Sequence, residues 1–304
     1  MFSAVKQNKF GFYELANKPT SEELEQYYAE TYYPNTYNPK DGQTEYTPDE
    51  IEYRNNVFDL RYHVIDSHVQ SQSLGRPARM LDVGCGEGWA MQFFLRKGWE
   101  VFGVDYNSHA ISSQCPECLD YFVAGDIYAI LDDLALKGEK YDCIWLDHVL
   151  EHVIEPYELV KLLNRLLSDV GILLIEVPND FSIVQRTLWE ESIIDRPYWV
   201  AIPDHLNYFN LNGLDRMMEE AGFSRYRVGC DYPIDFNLFN ELTNYVKDPG
   251  KGKPSHQARL KIENMLHRIS IEKTADLYEI LAEMGLGRNI TGYYMVDSHK
   301  VGQA

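Results

Sequence analysis

Short apolar runs alternate with helical repeats through the middle of the chain. ARMLDVGCGEGWAMQFFLRKG, residues 78–98, reads as a buried strand, a glycine turn and a helix that stops at Gly98. WEVFGVDYN supplies a second strand ending in an acid, YFVAGDIY a third and weaker one, and YDCIWLDHVLEHV a fourth. PYELVKLLNRLLSDVGILLIEVPN reads as a helix, a turn at Gly171 and a fifth strand, and LNGLDRMMEEAGFSRYRVGC as a helix with Gly222 at its C′ position and a sixth strand. Apolar runs of this kind suit strands covered on both faces. Strands separated by helices at this spacing predict a doubly wound parallel sheet.

The flanks break that rhythm. Thr20 or Ser21 can cap a first helix, with Glu22, Glu23 and Glu25 in its first turn. Pro34, Pro39, Gly42 and Pro48 then mark loops. A second helix is predicted over PDEIEYRNNVFDLRYHVIDSHV, where Ile51, Val57, Leu60, Val64 and Ile65 fall at helical spacing. Residues 231–288 carry loops at Pro233, Pro249, Gly250, Gly252 and Pro254 and then about two helices, and NITGYYMVD reads as a last strand. The expected organisation is a helical N-terminal cap over 1–75, a core over 76–230, an insertion over 231–288 that contributes to the substrate site, and a last core strand with a tail over 289–304.

A chain of 304 residues with 45% hydrophobic content suffices for one large domain with additions, or for two. No run approaches the roughly 20 apolar residues of a membrane span, and the start lacks a secretory apolar region. The five cysteines are odd in number and scattered, so they read as reduced thiols in a cytoplasmic protein. Cys115-Pro-Glu-Cys118 has no second ligand pair nearby and reads as a loop. The net charge of −19 disfavours polyanions, and neither nucleic acid nor a membrane is expected as a partner. The oligomeric state stays open.

LDVGCGEG carries the first chemistry. Gly84, Gly86 and Gly88 sit where strand one turns into a helix, which allows a tight turn and close backbone approach to a ligand. The spacing is G-x-G-x-G rather than the dinucleotide G-x-G-x-x-G, and Asp82 precedes it. An acid in that place suits an ammonium group better than a pyrophosphate. Asp105 ends strand two, where a carboxylate can accept from both ribose hydroxyls. Asp126 follows strand three, where an acid can accept from an adenine amino group while the Ile127 backbone completes the edge. An amino-acid end, a ribose and an adenine with no diphosphate between them describe S-adenosylmethionine.

With LDVGCGEG, GVDYN, AGDI and YDCIWLDHVLEHV in this order, the chain resembles the class I S-adenosylmethionine-dependent methyltransferases over about residues 76–230 and the last strand. The resemblance implies a Rossmann-like α/β fold, a seven-stranded sheet with an antiparallel last strand, and a ligand crevice at the strand C-terminal ends. It implies S-adenosylmethionine as cofactor, held by Asp82, Gly84, Gly86, Gly88, Asp105, Tyr106, Asp126 and Ile127, with Asp147 and His148 beside the transferable methyl. A Rossmann-like domain with another cofactor is the competing reading.

HVLEH, residues 148–152, follows strand four. At helical spacing His148, Glu151 and His152 share one side and can face the crevice. In many relatives a His-x-x-x-Phe element follows strand five, and HLNYF matches it, which places His205 and Tyr208 over the same crevice. His148, His152 and His205 are therefore the acid–base or orienting candidates. Small-RNA 3′-end methyltransferases and ubiquinone-pathway O-methyltransferases carry E-x-x-E-H at this place. Glu151 and His152 match that pattern, and His148 stands where it has its first Glu. No metal is the main expectation. The alternative is a softer metal such as Zn²⁺ or Mn²⁺ on His148, Glu151, His152 and His205, and a purely structural role is a third reading.

The stretch 247–273 holds seven basic residues against three acidic ones in an acidic chain. Arg259 within it, and Arg288 further on, are candidates to hold a phosphate or nucleotide group. A solvated helix face paired with the acidic N-terminal region is the alternative. Tyr27, Tyr28, Tyr32, Tyr33 and Tyr37 can close over a sugar or an aromatic ring, or pack the cap to the core. The later segments resemble methyltransferases of sugar and polysaccharide biosynthesis. The expected function is O-methylation of a small polar metabolite: a sugar, a nucleotide-linked sugar or a related phosphorylated glycan precursor. C- or N-methylation of a sugar, or a quinone-type phenol as acceptor, are the alternatives among enzymes. A non-catalytic S-adenosylmethionine-binding regulatory subunit is the alternative outside them, although a relic would be expected to lose the polar residues of the crevice. An RNA substrate is disfavoured by the acidic balance.

Overall fold

The computed structural model describes residues 4–27, 46–69 and 74–297. The chain opens with two short strands, β1 (Val5–Gln7) and β2 (Tyr13–Leu15), and a helix α1 (Ser21–Tyr27). Thr20 is the cap of α1: its hydroxyl accepts from the Glu23 N–H at 3.2 Å and the Glu23 carboxylate accepts from the Thr20 N–H at 2.9 Å. Helix α2 (Pro48–Val69) spans the predicted segment.

The core then alternates β3 (Arg79–Val83), α3 (Trp89–Arg96), β4 (Glu100–Asp105), α4 (His109–Gln114), β5 (Phe122–Ala124), α5 (Ile127–Leu136) and β6 (Tyr141–Asp147). It continues with α6 (Pro156–Leu166), β7 (Leu167–Pro178), α7 (Ile183–Glu190), β8 (Asn207–Tyr208), α8 (Leu211–Glu220) and β9 (Phe223–Cys230). Helices α9 (Gly252–Ile269) and α10 (Ile271–Glu283) precede the last strand, β10 (Asn289–Val296).

Seven strands form one sheet in the order β5-β4-β3-β6-β7-β10-β9. The first five are parallel, and β10 runs antiparallel to both β7 and β9. This is the sheet that the resemblance implies, with its antiparallel last strand. Alternation along each strand feeds two apolar layers. Leu81, Ile144 and Leu146 pack on one face with α6 and α8; Met80, Cys143 and Trp145 pack on the other with α2 and α3.

Two expectations are corrected. The N-terminal region is more than helical, because β1 and β2 join β8 in a second, three-stranded sheet. Gly171 is not a turn: α6 runs directly into β7 and Gly171 lies inside that strand. A Cβ there would meet the Leu167 side chain at 2.7 Å and the Tyr141 carbonyl at 3.0 Å, so the glycine serves close packing.

The insertion docks on α2. Asn56 donates to Asn264 at 3.0 Å, and Arg268 pairs with Glu52 at 2.6 Å. Of the cluster Cys115/Cys118, both thiols are buried between α4 and β5, and burial raises both above their ordinary value.

Candidate functional site

A cavity of about 400 Å³ opens at the C-terminal ends of β3, β4 and β6. Gly84 and Gly86 line it, whereas Gly88 sits behind the loop at the start of α3. Gly84 has φ +72, and a Cβ there would lie 2.6 Å from the Val149 side chain; Gly88 has φ +79, with Ile111 at 2.9 Å. The loop between them is tied to β4, because the Gly86 N–H donates to the Asp105 carboxylate at 2.9 Å.

Asp82, Asp105, Asp147 and Glu87 all line the cavity, and no Lys or Arg among the described residues does. Burial pushes the Asp82 carboxyl well above the ordinary range, and the charges of Asp147 and Asp105 push it further. A cation held among these acids would relieve that repulsion, as an ammonium or sulfonium does. Tyr106 and Ile127 also line the cavity. Asp126 does not line it directly: it caps α5, accepting from the Ala129 N–H at 2.7 Å.

HVLEH forms a turn, not the start of a helix, yet His148 and His152 both line the cavity. His148 adopts φ 56, which sends its side chain toward the end of β7. Its Nδ1 bonds Glu151 Oε1 at 2.8 Å and its Nε2 lies 3.3 Å from Glu176 Oε1. Arg61 of α2 donates to Asp147 at 2.7 Å and also to Glu176. Burial alone would lower the His148 imidazole, but the bonds to Glu151 and Glu176 outweigh it and hold the ring well above its ordinary value. Glu151 is fully buried, which raises its carboxyl, yet the His148 bond and the neighbouring imidazoles bring it below the ordinary value.

His152 has a different partner. Its Nδ1 pairs with the Asp204 carbonyl at 2.8 Å, which makes Nδ1 the protonated nitrogen and Nε2 the basic one. The His205 ring stands perpendicular to it, with centroids 5.0 Å apart. Burial lowers His205 to about 4, so it is neutral at ordinary pH. Asn207 fastens the two segments, donating from Nδ2 to the carbonyls of Leu150 at 3.0 Å and Val153 at 2.7 Å.

The four-residue metal set divides. Glu151, His152 and His205 converge with ligand atoms within 4.8 Å, whereas His148 groups with Asp147 and Glu176. Glu151 Oε2 and His205 Nδ1 are buried without a hydrogen-bond partner among the described residues.

The substrate candidates scatter. Tyr208 is fully buried and donates to the His205 carbonyl at 2.9 Å, so it supports that residue from behind. Arg259 is no surface anion contact: it pairs with Glu263 at 2.7 Å and Asp231 at 3.6 Å and donates to Tyr53. Arg288 donates to Asp180 at 3.2 Å. The Tyr27 hydroxyl donates to Asp204; Tyr28, Tyr32, Tyr33 and Tyr37 lie outside the described residues.

Three residues escaped the sequence. Glu176 lies two residues before the end of β7, in register with Asp147 at the end of β6, a signal that was available. Arg61 interrupts the buried face of α2, and Asp180 follows β7; neither carried a motif. No helix among the described residues is long and apolar enough to cross a membrane.

A family described as a methyltransferase domain matches residues 57–227. The ubiquinone biosynthesis O-methyltransferase of Bartonella quintana is 30% identical over 183 residues, 56% of this chain and 68% of that protein. The O-antigen chain terminator bifunctional methyltransferase/kinase WbdD of Escherichia coli is 26% identical over 182 residues, 56% of this chain but 23% of that protein. Matches to other ubiquinone biosynthesis O-methyltransferases span from 47% to 67% of those proteins. The plantazolicin methyltransferase BamL has a similar structure, with a TM-score of 0.51 and 15% identity, covering 91% of this chain and 95% of that one. At that identity the likeness concerns the fold alone.

Proposed function

Since the chain belongs to the class I S-adenosylmethionine-dependent methyltransferases, we propose that it methylates a hydroxyl of a small polar metabolite, of the sugar or nucleotide-linked sugar kind. The observation that carries this reading is the His152 tautomer. Its Nδ1 is committed to the Asp204 carbonyl, so the basic Nε2 belongs to a side chain of the cavity wall. S-adenosylmethionine, when bound, supplies an electrophilic methyl group. Asp82, Asp105 and the glycine loop are the residues that would hold it. An alcohol gains from a base that takes its proton as it attacks, and His152 Nε2 is positioned for that. Glu151, buried and 4.0 Å away, would stabilise the imidazolium so formed. Arg61 and His148 hold the Glu176 carboxyl below its ordinary value against the effect of burial.

One relative is by name an O-methyltransferase, which supports an oxygen nucleophile, and another is by name an O-antigen chain terminator, which supports a glycan-related acceptor. The insertion 231–288 would frame the acceptor side. The test is a panel of nucleotide sugars, simple sugars and catechols offered with S-adenosylmethionine, with methylated products identified by mass spectrometry. His152→Ala should lower turnover about 10²–10⁴-fold while S-adenosylhomocysteine affinity stays unchanged. Near-normal turnover removes the base.

One observation favours a second reading, in which a divalent metal on Glu151, His152 and His205 lowers the acceptor pKa. Glu151 Oε2 and His205 Nδ1 are buried and unpartnered among the described residues, as ligands would be before the ion arrives. Elemental analysis of protein purified without chelator decides, together with the shift in unfolding temperature on adding Zn²⁺ or Mn²⁺. No stoichiometric metal and no shift ends this reading.

A further inference from the structure

We infer that the acceptor site continues past His205 into a recognition subsite built by Asp180 and Arg288, suited to a neutral ring bearing several hydroxyls. The inference rests on the hydroxyl-methylation reading and names the part of the acceptor remote from the reacting oxygen.

Asp180 follows β7 and is fully buried. One carboxylate oxygen accepts from Arg288 at 3.2 Å; the other is buried with no partner among the described residues. Gln185, in the first turn of α7, is also fully buried, and its Nε2 is in the same condition. Glu151 Oε2 and His205 Nδ1 are likewise unpartnered among the described residues, and the three segments are tied together by the Asp180 N–H donating to the Phe209 carbonyl at 2.7 Å and the Leu206 N–H donating to the Glu151 carbonyl at 2.7 Å. A buried polar group left unpaired is costly, so a cluster of them points to a ligand that completes it. The groups are close enough to feel one another. Burial lifts Asp180 to about 7 against the pull of Arg288, with Glu151 adding to the rise. Burial lowers His205, and Arg288 adds to that fall.

The chemistry of the cluster selects its ligand. Asp180 Oδ2 and Glu151 Oε2 require hydrogen donors; Gln185 Nε2 requires an acceptor. A hydroxyl serves as either. Arg288 lies between Asp180 and Asp235, and Asp235 also accepts from the Tyr245 hydroxyl at 2.7 Å. The guanidinium is therefore already matched by carboxylates, and a phosphate would meet Asp180, Asp235 and Glu151 without a spare cation. The Tyr198 ring, 5.9 Å from the guanidinium carbon, offers the apolar face against which a pyranose packs.

Binding alone tests the subsite. Protein loaded with S-adenosylhomocysteine is titrated with methyl α-D-glucopyranoside, methyl α-D-mannopyranoside, glucose 6-phosphate and catechol, and saturation transfer is read by NMR. A neutral pyranoside should bind, more tightly than the sugar phosphate. Asp180→Asn should weaken it by about tenfold, with S-adenosylhomocysteine affinity unchanged. Arg288→Lys, which keeps the charge but loses the planar fork, should weaken it several-fold and gives the same test if Asp180→Asn does not fold. Binding of catechol or the sugar phosphate alone, no binding of either pyranoside, or pyranoside binding indifferent to both substitutions overturns the inference. A pyranoside that binds through Asp180 yet is never methylated leaves the subsite standing and defeats the hydroxyl reading. A catechol methylated through His152 with no dependence on Asp180 does the reverse.

Discussion

Glu151 Oε1 and His148 Nδ1 share a 2.8 Å hydrogen bond across a turn, and that bond gives the histidines on either side of Glu151 different states. His148 is held as a cation among Glu151, Glu176 and Asp147. His152, oriented by a carbonyl instead, presents a basic nitrogen.

The imidazoles should titrate apart. ¹⁵N NMR should find His148 doubly protonated well above pH 6.5 and His205 neutral down to about pH 4. A raised folded value means that the His148 contribution to stability is complete below about pH 6.5 and is lost as pH rises through the folded value. The gap in urea stability between the parent and His148→Gln should therefore narrow as pH rises above 6.5. A lowered value acts in the opposite direction. The His205 contribution is present above about pH 6.5 and is lost as pH falls through about 4, a loss that His205→Gln should flatten.

Cofactor binding should release a proton. Asp82 is held protonated by burial and by Asp147 and Asp105, and a sulfonium with an ammonium would ionise it. The enthalpy of S-adenosylmethionine binding at neutral pH should therefore differ between phosphate and Tris by the buffers' own protonation heats. Asp82→Asn should abolish that difference. Equal enthalpies in the parent would refute the assignment.

Gly84→Ala should be costly. The new methyl would sit 2.6 Å from Val149 at a φ of +72. A loss of about 1–3 kcal/mol in denaturant stability is expected, with S-adenosylhomocysteine affinity reduced. A variant as stable as the parent would show that the turn yields freely.

Arg259→Ala should destabilise the fold and not act as the loss of a substrate contact. Removing the guanidinium leaves Glu263 and Asp231 buried without their cation, at a cost of about 3–5 kcal/mol. A raised KM with unchanged unfolding would restore the phosphate reading.

The sheet was readable because its signals are local. Each apolar run borders its own turn, and acids at 105 and 147 mark strand ends that face the cavity. The three-residue strands β1 and β2 gave no such signal, since their sheet is completed by β8, almost two hundred residues away. The histidines were identified, but their arrangement was not. A non-glycine residue at φ 56 breaks helical spacing, and only Glu176 and Arg61, brought from β7 and α2, explain why His148 turns there. Arg259 stood out as charge in an acidic chain, and its acidic partners became visible only once α9 lay against α2 and the end of β9.

The position of β10 has a consequence for the order of synthesis. The last strand lies between β7 and β9, and it brings Thr291 and Asn289 to the Glu176 carboxylate at 2.8 and 3.3 Å. On the ribosome, β7 and β9 emerge long before the strand that joins them. The parallel half of the sheet can form first, but until Asn289 and Thr291 appear β7 keeps an open edge and Glu176 lacks two donors. The charge network of Arg61, Asp147, His148 and Glu176 is thus among the last parts of the molecule to be finished, and a chain stopped at residue 288 would carry the whole glycine loop with that network incomplete.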